Sequence, residues 1–376
     1  MQVPEFSPSL GFQETAKVLE TLAGNWITEG PKTRELEEAL ATYVGCRRVL
    51  MVPNGTQAIF AALKVLGIGP GDEVIVPDFT FFGTVSAVLL TGATPVLVDV
   101  DEFDGNISIP SAARSLSAKT KAIVPVHIYG QSCDMAAVRA LADRHALRIV
   151  EDAAQGMGVT FGERHVGTLG DIGCISFFAD KTMTTGEGGA LLVDDARLVD
   201  ECIYFKNQGR LNRGTFVHER IGYNFRISDM QAAVGLAQFS RIESTIERKL
   251  EIQRAYVVRL AACPGLRLWG DNGFGRSVPF RVNVLVDDPE GLQAHLKTCG
   301  IGTRRFFYPL HMQPALSNTN VVVRERPISS IRLFERGLML PTGFDLSEGQ
   351  IDYVCDAIRT FQTGRTMGTV VGAAAQ

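Results

Sequence analysis

Between Ser176 and Gly189 the chain reads SFFADKTMTTGEGG, which sets a single lysine, Lys181, between a strand-like apolar run and a glycine-rich turn. A lysine so placed is either a solvated loop charge or an amine held for chemistry. The second reading has a physical basis. An amine taken out of water loses part of its preference for the charged form, and only the neutral amine is a nucleophile able to form a Schiff base. Gly186, Gly188 and Gly189 can adopt positive φ or admit close backbone approach, so they can keep the lysine loop compact. Upstream, Asp152 ends the apolar run LRIV within VEDAAQG. A carboxylate at a buried strand end is costly unless it meets a cation or strong donors. Its partner is either structural or a pyridine nitrogen that must stay protonated, the pyridinium ring being the electron sink of pyridoxal phosphate chemistry.

Two further places suit a phosphate. The run RVLMV leads into PNGTQA and then an Ala/Leu-rich helical pattern, which puts the amides of Gly55 and Thr56 at a helix N-terminus. Unpaired donors and the helix dipole attract anions there, although the segment is equally a plain helix start. No GKS or GKT follows, so this is not a Walker loop, and the absence of GxGxxG argues against a dinucleotide. Ser176, just ahead of Phe177 and Phe178, can offer a hydroxyl to a phosphate. Phosphate cup, stacking aromatic, pyridine carboxylate and Schiff-base lysine thus succeed one another in the order that a pyridoxal 5'-phosphate (PLP) enzyme needs.

These residues require a frame. From residue 48 onward short β-branched runs (RVLMV, EVIVP, PVLVDV, AIVPVHI, LRIVED) alternate with helical patterns at about 55–66 and 81–91. Such alternation predicts an α/β fold with a mainly parallel, doubly wound sheet, whose ligands sit beyond the carboxyl ends of the strands. Three runs end in candidate residues there: 54–56, 79–82 and 152–155. A long helix is predicted from Ser228, where Ser228 and Gln231 have the spacing of a capping box, to beyond Arg248, linking two domains. After Pro264 the pattern becomes strand (278–286), helix (about 290–299), strand and helix (348–361), consistent with a smaller C-terminal α+β domain. The length of 376 residues also exceeds what one core usually serves. The expected division is a large domain over 1–245, a small one over 246–365 and an unstructured tail over 366–376, which lacks turn and cap signals.

Composition narrows the partners. With 21% charged residues, a net charge of -4 and no basic patch, nucleic acid is not an expected ligand. The N-terminus has neither a basic n-region nor an apolar h-region, and no apolar run approaches the ~20 residues of a membrane span, so the expected location is cytoplasmic, away from the membrane. The seven cysteines are scattered without a CxxC pair and the six histidines form no HExxH-type spacing, so neither a disulfide framework nor a metal site is predicted.

Taken together, VPVHIYGQSCDM, EDAAQ, SFFADKTMTTGEGG, GYNFRISDMQAA and FFYPLHMQP resemble the DegT/StrS family of PLP-dependent sugar aminotransferases, of aminotransferase fold type I, over about residues 8 to 362. The resemblance implies that Lys181 binds PLP as a Schiff base and that Asp152 holds the pyridine nitrogen. It places Gln155 beside the ring's hydroxyl, Phe81 against the ring face, and Gly55, Thr56 and Ser176 on the phosphate. Asn224 in GYNFR would reach the phosphate of the neighbouring subunit, giving a homodimer with shared active sites; from the residues alone it is equally a polar residue ahead of a helix cap. His311 would line the sugar pocket or be a satisfied structural histidine. Tyr308, with Phe306 and Phe307, would border nucleotide or sugar or belong to the core. Arg305 stands where relatives commonly have proline and would add a cation near a diphosphate.

The activity implied is transfer of an amino group from L-glutamate, by way of pyridoxamine 5'-phosphate, to a nucleotide-linked 4-keto-6-deoxy sugar. GDP-4-keto-6-deoxymannose, giving GDP-perosamine, is the leading acceptor, and dTDP- or UDP-linked keto sugars are alternatives. A related sugar dehydratase carries His in place of the lysine, which Lys181 disfavours. A catalytically silent regulatory protein on the same fold would have lost Lys181 or Asp152, and both are present.

Overall fold

A computed structural model describes residues 1–373 apart from 212, 213 and 215, and those from 365 onward by backbone alone. The first strands alternate with helices: β1 (Arg48–Val52), β2 (Glu73–Pro77), β3 (Thr94–Val98), β4 (Thr120–Ile123) and β5 (Arg148–Asp152). A short ribbon comes next, β6 (Thr160–Phe161) and β7 (Arg164–His165), and then β8 (Ile172–Ser176) and β9 (Gly189–Val193). The C-terminal part adds β10 (Leu266–Leu268), β11 (Val282–Val286), β12 (Arg304–Arg305), β13 (Val322–Val323) and β14 (Gly337–Leu340).

The large sheet has the order β1-β9-β8-β5-β4-β2-β3-β13. Its neighbours are parallel except at β9, which runs antiparallel to both β1 and β8. The expected mainly parallel α/β sheet is therefore present, and β9 departs from it for a local reason. Only the loop 177–188 joins β8 to β9, and it contains no helix to carry a parallel crossover. Strands β2, β8 and β9 are buried along their whole length, as expected where helices cover both faces.

The helix Gly55–Val65 (GTQAIFAALKV) starts directly after β1 and buries Ala58 through Leu63 without a break, so it is clamped against the sheet rather than laid on its surface. Each large apolar side chain fully buried contributes roughly 1.5–3 kcal/mol. That anchoring fixes the helix N-terminus at the carboxyl end of β1.

The second, smaller sheet is antiparallel throughout, in the order β10-β11-β14-β12. Val284, Val286, Leu338 and Leu340 pack there with Tyr256, Ile351, Val354 and Ile358, and Val3 joins them from the N-terminal segment by pairing with Ile301. The predicted single helix from Ser228 is two helices, Asp229–Phe239 and Ile242–Leu260. The capping box of Ser228 and Gln231 is formed. The break falls at Ser240 and Arg241, where Arg241 leaves the helical region (φ -125°, ψ 22°) and its guanidinium pairs with Glu14 at 2.6 Å. We propose the domain boundary at about residue 245, near this break, with two exchanges across it: Val3 enters the small core, and β13 pairs with β3 in the large sheet. Where an unstructured tail is expected from 366, the last helix instead runs from Glu348 to Ala373, and no proline interrupts it. Residues 374–376 of that expectation lie outside the described residues.

Candidate active site

Beyond the carboxyl ends of β1, β2, β5 and β8 lies a cavity of about 520 Å³. Gly55, Thr56, Phe81, Asp152, Gln155, Ser176 and Lys181 all line it, although they come from segments spread over more than a hundred residues of sequence. The fold thus brings seven of the predicted residues to one place.

At one side stands the N-terminus of the helix Gly55–Val65. Asn54 caps it, its side chain accepting from the amide of Gln57 at 2.9 Å. The amides of Gly55 and Thr56 precede any intrahelical acceptor and point outward from the first turn. A Cβ on Gly55 would come within 3.0 Å of Cβ of Ser176, so glycine lets strand β8 approach the helix start. The glycine-rich turn divides its labour in the same way: Gly186 takes φ +82°, whereas a Cβ on Gly189 would come within 2.5 Å of the Asn54 backbone. The result is a concave, donor-rich corner suited to a phosphate.

At the tip of β5 Asp152 is buried. One carboxylate oxygen accepts from the Thr84 hydroxyl at 2.7 Å and the other from the Ala154 amide at 3.1 Å. Thr84 in turn shares a hydrogen bond with Thr80 at 3.1 Å. Burial raises the Asp152 pKa, and Thr84, Ala154 and the charge of Lys181 only partly offset it. A carboxylate in that condition lacks a full counter-ion, and a cationic ring nitrogen would supply one.

Its sequence neighbour Glu151 points to the other face of the strand and is fully satisfied. It accepts from the amides of Gly167 at 2.7 Å, Leu169 at 2.6 Å and also Gly170, and meets Nε2 of His127 at 3.0 Å. Because the Cys133 amide donates to Nδ1 of His127, the ring proton sits on Nε2 and is donated to Glu151. Burial works against ionisation of Glu151 too, but the bonds from His127 and the amides outweigh it and the pKa is lowered. Two adjacent carboxylates therefore shift in opposite directions, one structural and one left wanting a cation.

Lys181 reaches the cavity with its side chain 16% exposed. Its Nζ lies 3.8 Å from Asp180 and 4.7 Å from the centre of the Phe280 ring. Burial lowers its pKa; Asp180 and Asp152 oppose this, while Arg281 and Arg304 add to it. A poorly solvated amine with a reduced proton affinity can act both as a nucleophile and as a proton carrier.

Phe81 stands at the mouth, 63% exposed, with Phe307 6.0 Å away. Gln155 is oriented by the Tyr129 amide, which donates to its Oε1 at 2.7 Å. The remaining predicted residues lie elsewhere. Arg305 is outside the lining, because its guanidinium donates to the carbonyls of Gly337 and Phe334 and stacks 5.0 Å from the Phe334 ring. Its neighbour Arg304 lines the cavity instead, since adjacent residues of a strand face opposite sides. His311 is tied to the buried Asp78 through both its amide and Nδ1, each at 2.8 Å. The Tyr308 ring packs edge-on against Phe334 at 4.9 Å. Asn224 is exposed and forms an isolated bridge with Asn207. Sequence reasoning missed Thr84, Arg304, Phe280 and the Glu151–His127 pair; both members of the pair lie within quoted motifs, His127 in VPVHIYGQSCDM and Glu151 in EDAAQ.

Among known proteins, the chain is similar to the GDP-perosamine synthase of Escherichia coli O157:H7, 36% identical over 367 residues that cover 96% of this chain and 99% of that protein. It superimposes on S. venezuelae DesV, solved in complex with a ketimine intermediate, with a TM-score of 0.88 and 33% identity, covering 93% of this chain and 94% of that one. The aminotransferase from Psychrobacter cryohalolentis gives a TM-score of 0.91 at 31% identity, covering 96% and 99%. With residues 8–359 matching the DegT/DnrJ/EryC1/StrS aminotransferase family, the chain belongs to that family and is a PLP-dependent sugar aminotransferase.

Proposed function

We propose that the enzyme moves an amino group from L-glutamate to GDP-4-keto-6-deoxymannose, giving GDP-perosamine. The observation that carries the reading is the presence, in one cavity, of an amine with lowered and a carboxylate with raised proton affinity beside a helix N-terminus. The similarity to a GDP-perosamine synthase directs the choice of acceptor.

PLP, when bound, supplies the electron-withdrawing ring through which an amino group passes between carbons. The chain's own residues do the rest. Gly55 and Thr56, with the Ser176 hydroxyl, would hold the phosphate; Asp152 would keep a proton on the ring nitrogen; Phe81 would cover the ring and Gln155 would stand by its hydroxyl. Lys181 binds the cofactor and, once released, carries the proton between reacting carbons at its Nζ. Phe81, exposed at the mouth, and Phe307, partly buried beside it, border the acceptor. The test is mass spectrometry of products from GDP-, dTDP- and UDP-linked 4-keto-6-deoxy sugars with PLP and glutamate. Replacement of the keto oxygen by an amino group and hydrogen on the GDP sugar is expected. Amination confined to a dTDP or UDP sugar overturns the choice of nucleotide.

We further propose that the site is shared in a homodimer through Asn224. The segment around it exposes Phe216 (93%) and Ile221 (89%), an apolar surface that a second copy would cover. Lys181→Ala and Asn224→Ala chains, co-expressed with different tags, form hybrids in which one site carries both substitutions and the other neither. Losing a donor to a charged phosphate costs about 1.5–3 kcal/mol, or roughly ten- to over a hundredfold, so each parent homodimer is impaired. The purified hybrid is expected to regain about half the wild-type activity, because one of its two sites is intact. A hybrid showing only the mean of its parents overturns sharing.

A further inference from the structure

Behind Lys181 lies a group of charges whose pairing is incomplete. Arg281, 2% exposed, approaches Asp180 at 3.5 Å and Glu5 at 3.9 Å. Arg304, half exposed, approaches the same two carboxylates, Glu5 at 2.9 Å and Asp180 at 3.8 Å. Among the described residues, Oδ1 of Asp180 and Nε of Arg281 are buried without a hydrogen-bond partner. Arg281 is closed in between the rings of Phe6 and Phe280. Arg304 instead opens on the cavity, where it and Lys181 are the lysine and arginine side chains of the lining among the described residues.

Asp180 spans these two cations. Its Oδ1 lies 3.8 Å from Nζ of Lys181 and its Oδ2 3.8 Å from Nη1 of Arg304. One carboxylate can therefore be near both the amine and the guanidinium. An amino-acid donor brings just such a group: its α-carboxylate is one bond from the carbon whose nitrogen is transferred. The diphosphate of a nucleotide sugar is separated from the keto carbon by the sugar ring and suits a position farther from Lys181. Resting on the aminotransferase reading, we propose that Arg304, which Glu5 meets at 2.9 Å, anchors the α-carboxylate of the amino donor, and that Asp180, the second counter-ion and the one that also faces Lys181, is the one the donor displaces. A guanidinium fork suits that task because it can grip a carboxylate with two parallel hydrogen bonds.

The probe is 2-methyl-L-glutamate, which lacks the α-hydrogen and so binds without turning over, titrated by calorimetry into the PLP-loaded enzyme alongside its α-amide. Wild type should bind the acid well and the amide poorly. Arg304→Gln should weaken the acid roughly ten- to over a hundredfold, as expected for lost hydrogen bonds between charged groups, and leave acid and amide nearly equal. Arg304 is half exposed, so the variant should fold, and Arg304→Lys should fall between. Asp180→Asn should tighten the acid several-fold, because a competitor for Arg304 is gone. Unchanged acid binding in Arg304→Gln, or a loss confined to the keto sugar, overturns the assignment to the donor; weaker acid binding in Asp180→Asn overturns the counter-ion role. Wild-type protein that neither binds the acid nor converts glutamate overturns the aminotransferase reading on which this rests, a result distinct from normal wild-type binding that the Arg304 substitution leaves untouched.

Discussion

The Lys181→Ala protein is expected to fold as well as wild type and to lose transamination. Loss of a positioned proton carrier alone removes about 10²- to 10⁴-fold in rate, and loss of the covalent attachment of the cofactor adds to it. Folding should not suffer, and the sign comes from the pKa. Burial lowers the Lys181 pKa in the folded protein, so at every pH below the unfolded value near 10.5 the folded state holds a charged amine less readily than the unfolded chain does. Alanine removes that cost. Cofactor-free variant and wild type should therefore melt at similar temperatures near pH 7, or the variant slightly higher, while activity disappears. Borohydride reduction of the wild-type holoenzyme, coupled to peptide mass spectrometry, should place the cofactor on Lys181. The pointed alternative is Lys249, also buried, with a pKa lowered to about 7. Its Nζ is spent on the carbonyls of Pro279 and Phe280, each at 3.2 Å, and it does not line the cavity. Reduced cofactor on Lys249, or wild-type turnover by Lys181→Ala, would refute the role of Lys181.

The sequence exposes those parts of the site that depend on local order. Strand followed by NGT and a helix, and strand followed by Asp152, are short-range patterns, and the parallel sheet then necessarily gathers their ends at one edge. The antiparallel β9 has a local cause as well, because no helix lies between Ser176 and Gly189 to carry a parallel crossover. What depends on register is not exposed in this way. Arg304 and Arg305 form a two-residue strand whose facing is decided by its pairing with Leu338 and Met339, and no periodicity exists in two residues. The break between Phe239 and Ile242 carries no Gly or Pro; it coincides with a long-range ion pair to Glu14 that the local sequence does not announce. Likewise the Glu151–His127 pair joins residues whose proximity comes from β5 lying beside the segment after β4, with Val126 bridging to Asp152. Long-range pairing of this kind escapes pattern reading because its partners share no spacing.

Asp152→Asn should separate the chemical from the structural duty of that position. The amide retains an oxygen for the Thr84 hydroxyl, so the local bond at 2.7 Å can survive. It cannot hold a proton on a ring nitrogen by charge. Removing one partner of a buried ion pair costs about 3–5 kcal/mol, which as a barrier is on the order of 10²- to 10⁴-fold in rate. Cofactor should still bind, more weakly, through its phosphate. Stability of the cofactor-free protein supplies an independent reading with a definite sign. Burial raises the Asp152 pKa in the folded state, so its ionised form costs stability at pH above the folded pKa, and that cost fades as pH falls through it. The cofactor-free variant should therefore be more stable than wild type at pH 7, with the gap closing in acid, while PLP should raise the melting temperature of wild type more than that of the variant. If Asp152 served only to receive Thr84 and Ala154, the variant would instead keep its activity, and PLP would raise the melting temperatures of wild type and variant equally; that pair of results would remove Asp152 from the chemistry.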